Sequence, residues 1–274
     1  MTKKPELLYL DLMKKALSFT IWPEPPREIK AMPTHLPGVK QAISLLTGLL
    51  GAGDLVISKR SEVTEADREE GKFWPAYAHT MTGLKRLDCI QECIETVLRN
   101  NIEGDFIETG VWRGGTCIFM RAALAAYGIE DRKVFVADSF EGLPKPDLEN
   151  FPQDKGDINY KFSDLAISQE QVADNFKKYG LLDDQVVFLK GWFKDTLPTA
   201  PIEKLAILRL DGDMYESTMD ALNNLYPKLS KGGFCIIDDY ALEMCAKAVD
   251  DFRKEHGINS ELHVIDWTGR YWVK

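Results

Sequence analysis

The stretch from Leu205 to Tyr240, LAILRLDGDMYESTMDALNNLYPKLSKGGFCIIDDY, restricts the possible folds of this chain more than any other. Two apolar runs, Leu205 to Leu210 and Phe234 to Ile237, both stop at carboxylates. Asp211 and Asp213 follow the first, and Asp238 and Asp239 follow the second. Between them, Tyr215 to Leu229 repeats Met219, Leu222, Leu225, Tyr226 and Leu229 at spacings of three and four, the period of a helix. Strand, helix, strand is a crossover unit, so the two strands run parallel and their carboxy ends share one edge of a sheet. All these aspartates therefore converge. Crowded anions have two remedies, raised pKa values or a bound cation. The cation is expected here, and oxygen ligands select a hard one: Mg²⁺ first, then Mn²⁺ or Ca²⁺. Helix caps and solvated loop acids explain one such pair as simply, but two pairs at two strand ends less well.

The length, 274 residues, fits one large α/β domain with an N-terminal addition. With 34 basic and 43 acidic side chains the net charge is −9, which argues against nonspecific binding to nucleic acid or anionic membranes. No apolar run nears the ~20 residues that cross a bilayer. The opening MTKKPELLYLDL has acids where a secretion signal is apolar, so a cytoplasmic location is expected. Five cysteines, an odd number without C-x-x-C spacing, suit reduced thiols, and Cys89 and Cys93 read as core positions of one helix.

In chain order, Glu6 to Phe19 has the apolar spacing of an amphipathic helix. Prolines at 23, 25, 26, 33 and 37 then interrupt regular structure. A second helix is expected over Val39 to Leu50, before a charged stretch from Lys59 to Lys72. Residues 1–72 thus read as an arm: a lid, part of a substrate pocket or an oligomer contact. Residues 73–274 read as the main domain, starting with a helix that carries Leu84, Leu87, Ile90, Ile94, Val97 and Leu98.

The segment DFIETGVWRGGT from Asp105 runs from a strand through a glycine turn into a helix over Thr116 to Tyr127, the layout that presents a helix N-terminus to a nucleoside-type ligand. Gly110, Gly114 and Gly115 do not give the G-x-G-x-x-G of a pyrophosphate site, and Glu108 would repel a phosphate but attract a cation or an amine. The strand Lys133 to Ala137 ends at Asp138, the position that grips a ribose diol in such folds. Leu143 to Asp164 reads as a long loop, Gln169 to Tyr179 as a helix, and Val186 to Leu189 as a strand leading to Trp192, placed to flank an adenine or simply to pack. Helix Glu243 to His256 and terminal strands His263 to Asp266 and Arg270 to Val273 complete the chain. Ligands bind beyond the carboxyl ends of parallel strands, so the ends after Ile107, Ala137, Leu189, Leu210 and Ile237 form one composite site. Its acids outnumber its bases, which favours a cationic guest, and S-adenosylmethionine has the sulfonium, amine, ribose diol and adenine to match.

The motifs ETGVWRGG, VADSFEGLP, FLKGWFKDTLP, LRLDGDMYEST and DWTGRYW together resemble the macrocin O-methyltransferase family, which methylates sugar hydroxyls of macrolide and aminocoumarin antibiotics. The resemblance runs from about the YLDLMKKAL helix to the C-terminus. It implies a class I methyltransferase fold, a Rossmann-like, mostly parallel sheet with helices on both faces, with S-adenosylmethionine, Mg²⁺, a small glycosylated acceptor and a homo-oligomer. By motif it assigns the metal to Asp211, Asp238 and Asp239, and proton abstraction to Asp213. Cofactor contacts fall on Thr80, Met81, Glu108, Thr109, Gly110, Val111, Trp112, Asp138, Ser139, Asp164 and Trp192. His79 and His263 are rival bases, and a catechol-type enzyme acting on an aromatic diol is the alternative within the same fold.

Overall fold

Successive side chains along a strand face opposite ways, and here that alternation splits the core into two layers. Phe106, Phe234 and Ile236 pack on one side of the sheet, Ile107, Cys235 and Ile237 on the other. The computed structural model describes residues 4–28, 45–46, 48–49 and 58–274. Its main sheet contains β1 (Asp105–Thr109), β2 (Val134–Asp138), β3 (Val186–Lys190), β4 (Leu205–Leu210), β5 (Leu229–Ile237), β6 (His263–Val264) and β7 (Arg270–Val273). The spatial order is β3-β2-β1-β4-β5-β7-β6. The first five strands are mutually parallel, and β7 runs antiparallel to both β5 and β6. The chain winds outward in both directions from β1 and β4, which makes their boundary the switch point where open α/β sheets bind ligands. This is the α/β class expected, with helices on both faces.

One face is covered by α1 (Pro5–Leu17), α3 (Leu84–Arg99), α4 (Gly115–Ala126) and α5 (Gln169–Lys178), the other by α7 (Tyr215–Leu225) and α8 (Glu243–Glu255). Two short helices, α2 (Glu65–Glu70) and α6 (Phe193–Thr196), lie in the connections. A two-residue ribbon pairs Arg27–Glu28 with Ser58–Lys59. All five cysteines are free and buried, Cys89 and Cys93 on the inner face of α3.

Four boundaries depart from the sequence pattern. The helix expected through Leu229 stops at Leu225, because Pro227 lacks a donor; a single 3-10 turn follows, and Leu229 already belongs to β5. The loop after β2 contains three such turns, Pro152–Asp154, Asn159–Lys161 and Ser163–Leu165. The strand expected over His263 to Asp266 is only two residues long, since the Asp266 carboxylate turns the chain by accepting from the N–H groups of Thr268 and Gly269. Part of the arm expected over residues 1–72 packs into the core of the main domain. Helix α1 buries Leu10, Met13 and Leu17 in the core against α4, a contribution on the order of 5–8 kcal/mol before ordering entropy. The helix expected over Val39 to Leu50 lies mostly outside the described residues.

Candidate active site

Strand register brings the acids together. Thr109 pairs with Leu210 and Leu210 with Ile237, so the next residue on β4, Asp211, stands beside the next residue on β5, Asp238. The ladder continues one step further. The Asp211 N–H donates to the Thr109 carbonyl at 2.9 Å and the Asp238 N–H to the Leu210 carbonyl at 2.9 Å. One carboxylate oxygen from each of Asp211, Asp238 and Asp239 lies within 4.8 Å of the other two. Asp213 follows through Gly212 with φ 56°, and its N–H donates to Asp239 Oδ2 at 3.3 Å. The glycine turn after β1 is packed onto the same point. Gly110, at φ 86°, leaves room for the Asp211 carbonyl, which a Cβ there would meet at 1.6 Å.

A third remedy for crowding, unread in the sequence, is a pair of buried arginines. Arg209 on β4 is fully buried. Its Nη1 donates to Glu108 Oε1 and, at 2.9 Å, to Asp211 Oδ2; its Nη2 donates to Asp238 Oδ1 and, at 2.9 Å, to Thr82 Oγ1. Arg86 on α3 donates from Nη1 to Asp238 Oδ2 and from Nε to Asp266 at 2.9 Å. Against the cost of its burial, these two guanidinium groups hold the Asp238 carboxyl below its usual range. Among the described residues, the opposite rim has no such help. Asp239 is driven well above the carboxylate range by burial and by the charges of Asp213, Asp211 and Asp238, while burial and Asp211 push Asp213 up to about 7. Burial, opposed by Arg209, leaves Glu108 at about 7, with Cys117 Sγ donating to its Oε2 at 2.9 Å. Clustered oxygens that resist ionisation as they stand are a donor set suited to a divalent cation.

The cluster borders a cavity of about 1050 Å³ including its open mouth, ample for a nucleoside-sized ligand. Every site position read from the sequence lies on its wall except Thr109, Asp164, Asp238 and Asp239. Thr109 is buried inside β1, and Asp164 offers its backbone, its carbonyl accepting from Trp112 Nε1 at 2.9 Å. Asp238 is held behind the wall by the two arginines. Asp138 faces the cavity while accepting from the N–H groups of Val111 and Phe140, each at 2.7 Å, so it also fixes the glycine turn. Its burial raises the carboxyl pKa, against those backbone bonds.

Neither rival base reaches the wall. His79 pairs Nδ1 with Tyr179 Oη at 2.8 Å, and burial, then Lys178 and Arg113, lower its pKa to about 4. His263 stacks on Tyr271 in the terminal strands. The pattern also missed wall residues on α7, Glu216, Ser217 and Asp220, and Leu165 beyond the long loop. Glu216 and Asp220 are four apart, one helical turn, which is a detectable signal. Arg209 was detectable too, as a charge inside an otherwise apolar buried strand.

The macrocin O-methyltransferase family, TylF, matches residues 6–274 of this sequence. The chain belongs to that family. Among its relatives, demethyldecarbamoylnovobiocin O-methyltransferase of Streptomyces niveus is 47% identical over 275 residues, covering 100% of this chain and 95% of that protein. Mycinamicin III 3''-O-methyltransferase of Micromonospora griseorubida is 47% identical over 268 residues, covering 97% and 95%. The solved structure of the O-methyltransferase NovP superposes with a TM-score of 0.83 at 46% identity, covering 98% of this chain and 99% of NovP. A calicheamicin methyltransferase, CalS11, shares the fold at TM-score 0.57 and 18% identity, over 91% and 97% of the two chains. This macrocin O-methyltransferase family member is therefore an O-methyltransferase with the class I fold.

Proposed function

We propose that the protein transfers a methyl group from S-adenosylmethionine to a sugar hydroxyl of a glycosylated natural product, with Mg²⁺ or a similar divalent ion in the aspartate cluster. The observation that carries this is the meeting of Asp211, Asp238 and Asp239 at the rim of a nucleoside-sized cavity that Asp213 also lines. Relatives at 47% identity are named for acceptors of the novobiocin and mycinamicin types, which supports a glycoside acceptor.

The cofactor would be held by Asp138 and Ser139 at one part of the wall and by Thr80 and Met81 at another, with Glu108 and Gly110 between strand end and helix. S-adenosylmethionine supplies an activated methyl group, and a carboxylate-rich wall favours its positive charge over an anionic nucleotide. Bound at Asp211, Asp238 and Asp239, a divalent ion would lower the cost of deprotonating an adjacent hydroxyl, which is otherwise far too weak an acid at pH 7. Arg209 and Arg86 fix Asp211 and Asp238 so that their oxygens point together. Asp213 accepts the hydroxyl proton. Its carboxylate lines the same cavity, and because a carboxylate is only a modest base the ion would supply most of the activation. The cavity wall then keeps the acceptor oxygen near the methyl carbon, and such positioning supplies much of the rate. A homo-oligomer, which the family resemblance implies, would cover Leu8 and Leu12, exposed on α1. Sedimentation tests that.

The deciding experiment offers labelled S-adenosylmethionine and Mg²⁺ with demethyldecarbamoylnovobiocin, mycinamicin III or catechol. Label should enter a glycoside, cease with chelator, and cease in Asp211→Asn and Asp238→Asn, which still bind the cofactor. Full activity in chelator removes the metal from the proposal, and preference for catechol replaces the sugar acceptor by an aryl diol.

A further inference from the structure

Helix α7 begins two residues after Asp213, and its own N-cap residue, Met214, supplies no side-chain acceptor. The first N–H groups of a helix have no partner within it, and here the partner comes from far back in the sequence. Asp154, fully buried in the loop after β2, accepts from Tyr215 N–H on Oδ1 at 2.6 Å and from Glu216 N–H on Oδ2 at 3.1 Å. Three residues on, Asp157 sets its charge near Asp213 and turns the chain by accepting from the Asn159 N–H at 3.3 Å. The far end of the loop is tied down by the bond from Trp112 to the Asp164 carbonyl, and Trp112 lines the cavity.

These contacts surround a residue in an unfavourable conformation. Asp213 has φ 56°, a left-handed geometry that persists only where neighbours over-determine it. Asp239 holds its N–H, and Asp154 holds the two N–H groups that follow Met214. We propose that Asp154 is a positioning residue, which from the long loop fixes the backbone that carries Asp213 in the orientation that meets the acceptor hydroxyl. This rests on Asp213 being the proton acceptor. It assigns to the loop after β2 a part in turnover that Asp154 performs without lining the cavity. Displacing a reacting group by about 1 Å costs roughly a hundredfold in rate.

Two measurements test it on the full chain. The first needs no acceptor: hydrogen exchange in the protein without ligands. In Asp154→Asn and Asp154→Ser, the peptide spanning residues 211–217 should exchange about tenfold faster while β4 and β5 stay protected. Unchanged exchange there overturns the proposal. The second is a double-mutant cycle on methyl transfer, with demethyldecarbamoylnovobiocin or mycinamicin III as probe acceptor. Each variant should lower kcat roughly ten- to a hundredfold, with KM for S-adenosylmethionine within about twofold of wild type. That loss should vanish when Asp213 is already Asn. A loss of equal factor in both backgrounds, or no loss at all, overturns the positioning role and leaves Asp213 as base. A wild-type rate in Asp213→Asn by itself removes the base and the positioning role with it. Asp154→Asn, which keeps the size of the side chain and one acceptor oxygen, guards against misfolding of the Asp154→Ser variant.

Discussion

Replacing Arg209 by methionine should destabilise the protein in a manner that depends on pH and on metal. The variant keeps an unbranched apolar stem in a fully buried position but removes the guanidinium that serves Glu108, Asp211, Asp238 and Thr82. Three carboxylates then lose their shared counterion, and Arg86 remains for Asp238 alone. Removing one partner of a buried ion network costs about 3–5 kcal/mol, because the remaining charge stays desolvated. Protonation offers partial relief. Glu108 is already raised to about 7 by burial with Arg209 present, and without Arg209 it moves higher. At pH 8 wild-type Glu108 is mostly ionised, so the variant must either bury a lone anion or bind a proton against the solution. At pH 6 a proton is already there. The loss should therefore approach 3–5 kcal/mol at pH 8 in chelator and be smaller at pH 6, with melting about 10 °C lower at pH 8. Urea and thermal unfolding at both pH values measure it, and Glu108→Gln combined with Arg209→Met should recover part of the loss. If Arg209→Met unfolds within 1 kcal/mol of wild type at pH 8, the buried arginine is not what neutralises the cluster, and the electrostatic account fails.

Other outcomes follow from single contacts. Asp138→Ala should weaken binding of S-adenosylhomocysteine roughly ten- to a hundredfold by calorimetry, since hydrogen bonds to a charged group are worth about 1.5–3 kcal/mol; unchanged affinity would place the ribose elsewhere. Gly110→Ala should cost roughly 3–5 kcal/mol through collision with the Asp211 carbonyl. The control Gly156→Ala, also at positive φ but with nothing within 4 Å, should cost only about 1–2; equal losses would show that φ alone matters. His79 is held neutral, its pKa lowered from 6.5 to about 4 mainly by burial, so the unfolded chain binds the extra proton between those values. Its contribution is complete above pH 6.5 and is lost as pH falls towards 4. Discounted for partial exposure, that is about 1–2 kcal/mol, and His79→Asn should show correspondingly less acid sensitivity in urea unfolding between pH 7 and 4.5.

Much of the site was legible because its parts are local in sequence. An apolar strand that stops at an aspartate can be read from a few residues, and the rule that crossover strands run parallel carries Asp211 and Asp238 to one edge without coordinates. Asp138 and the glycine turn followed in the same way. The reading failed where an element's end depends on its neighbours, as at Leu225, and where a segment's role depends on what it packs against, as with α1, whose three buried side chains make it core.

By itself the sequence determined the family, through motifs that resemble it, and, through periodicity and strand order, the layered α/β architecture and the edge on which carboxylates gather. The tertiary structure alone decided how those charges are borne. Arg86 reaches Asp238 across 152 residues, Arg209 reaches Glu108 across 101, and Asp154 caps a helix 61 residues away. No periodicity records such pairs. A charge is stabilised by whatever stands within a few ångströms of it after the chain has folded, and that distance belongs to the packing of layers, not to spacing along the chain.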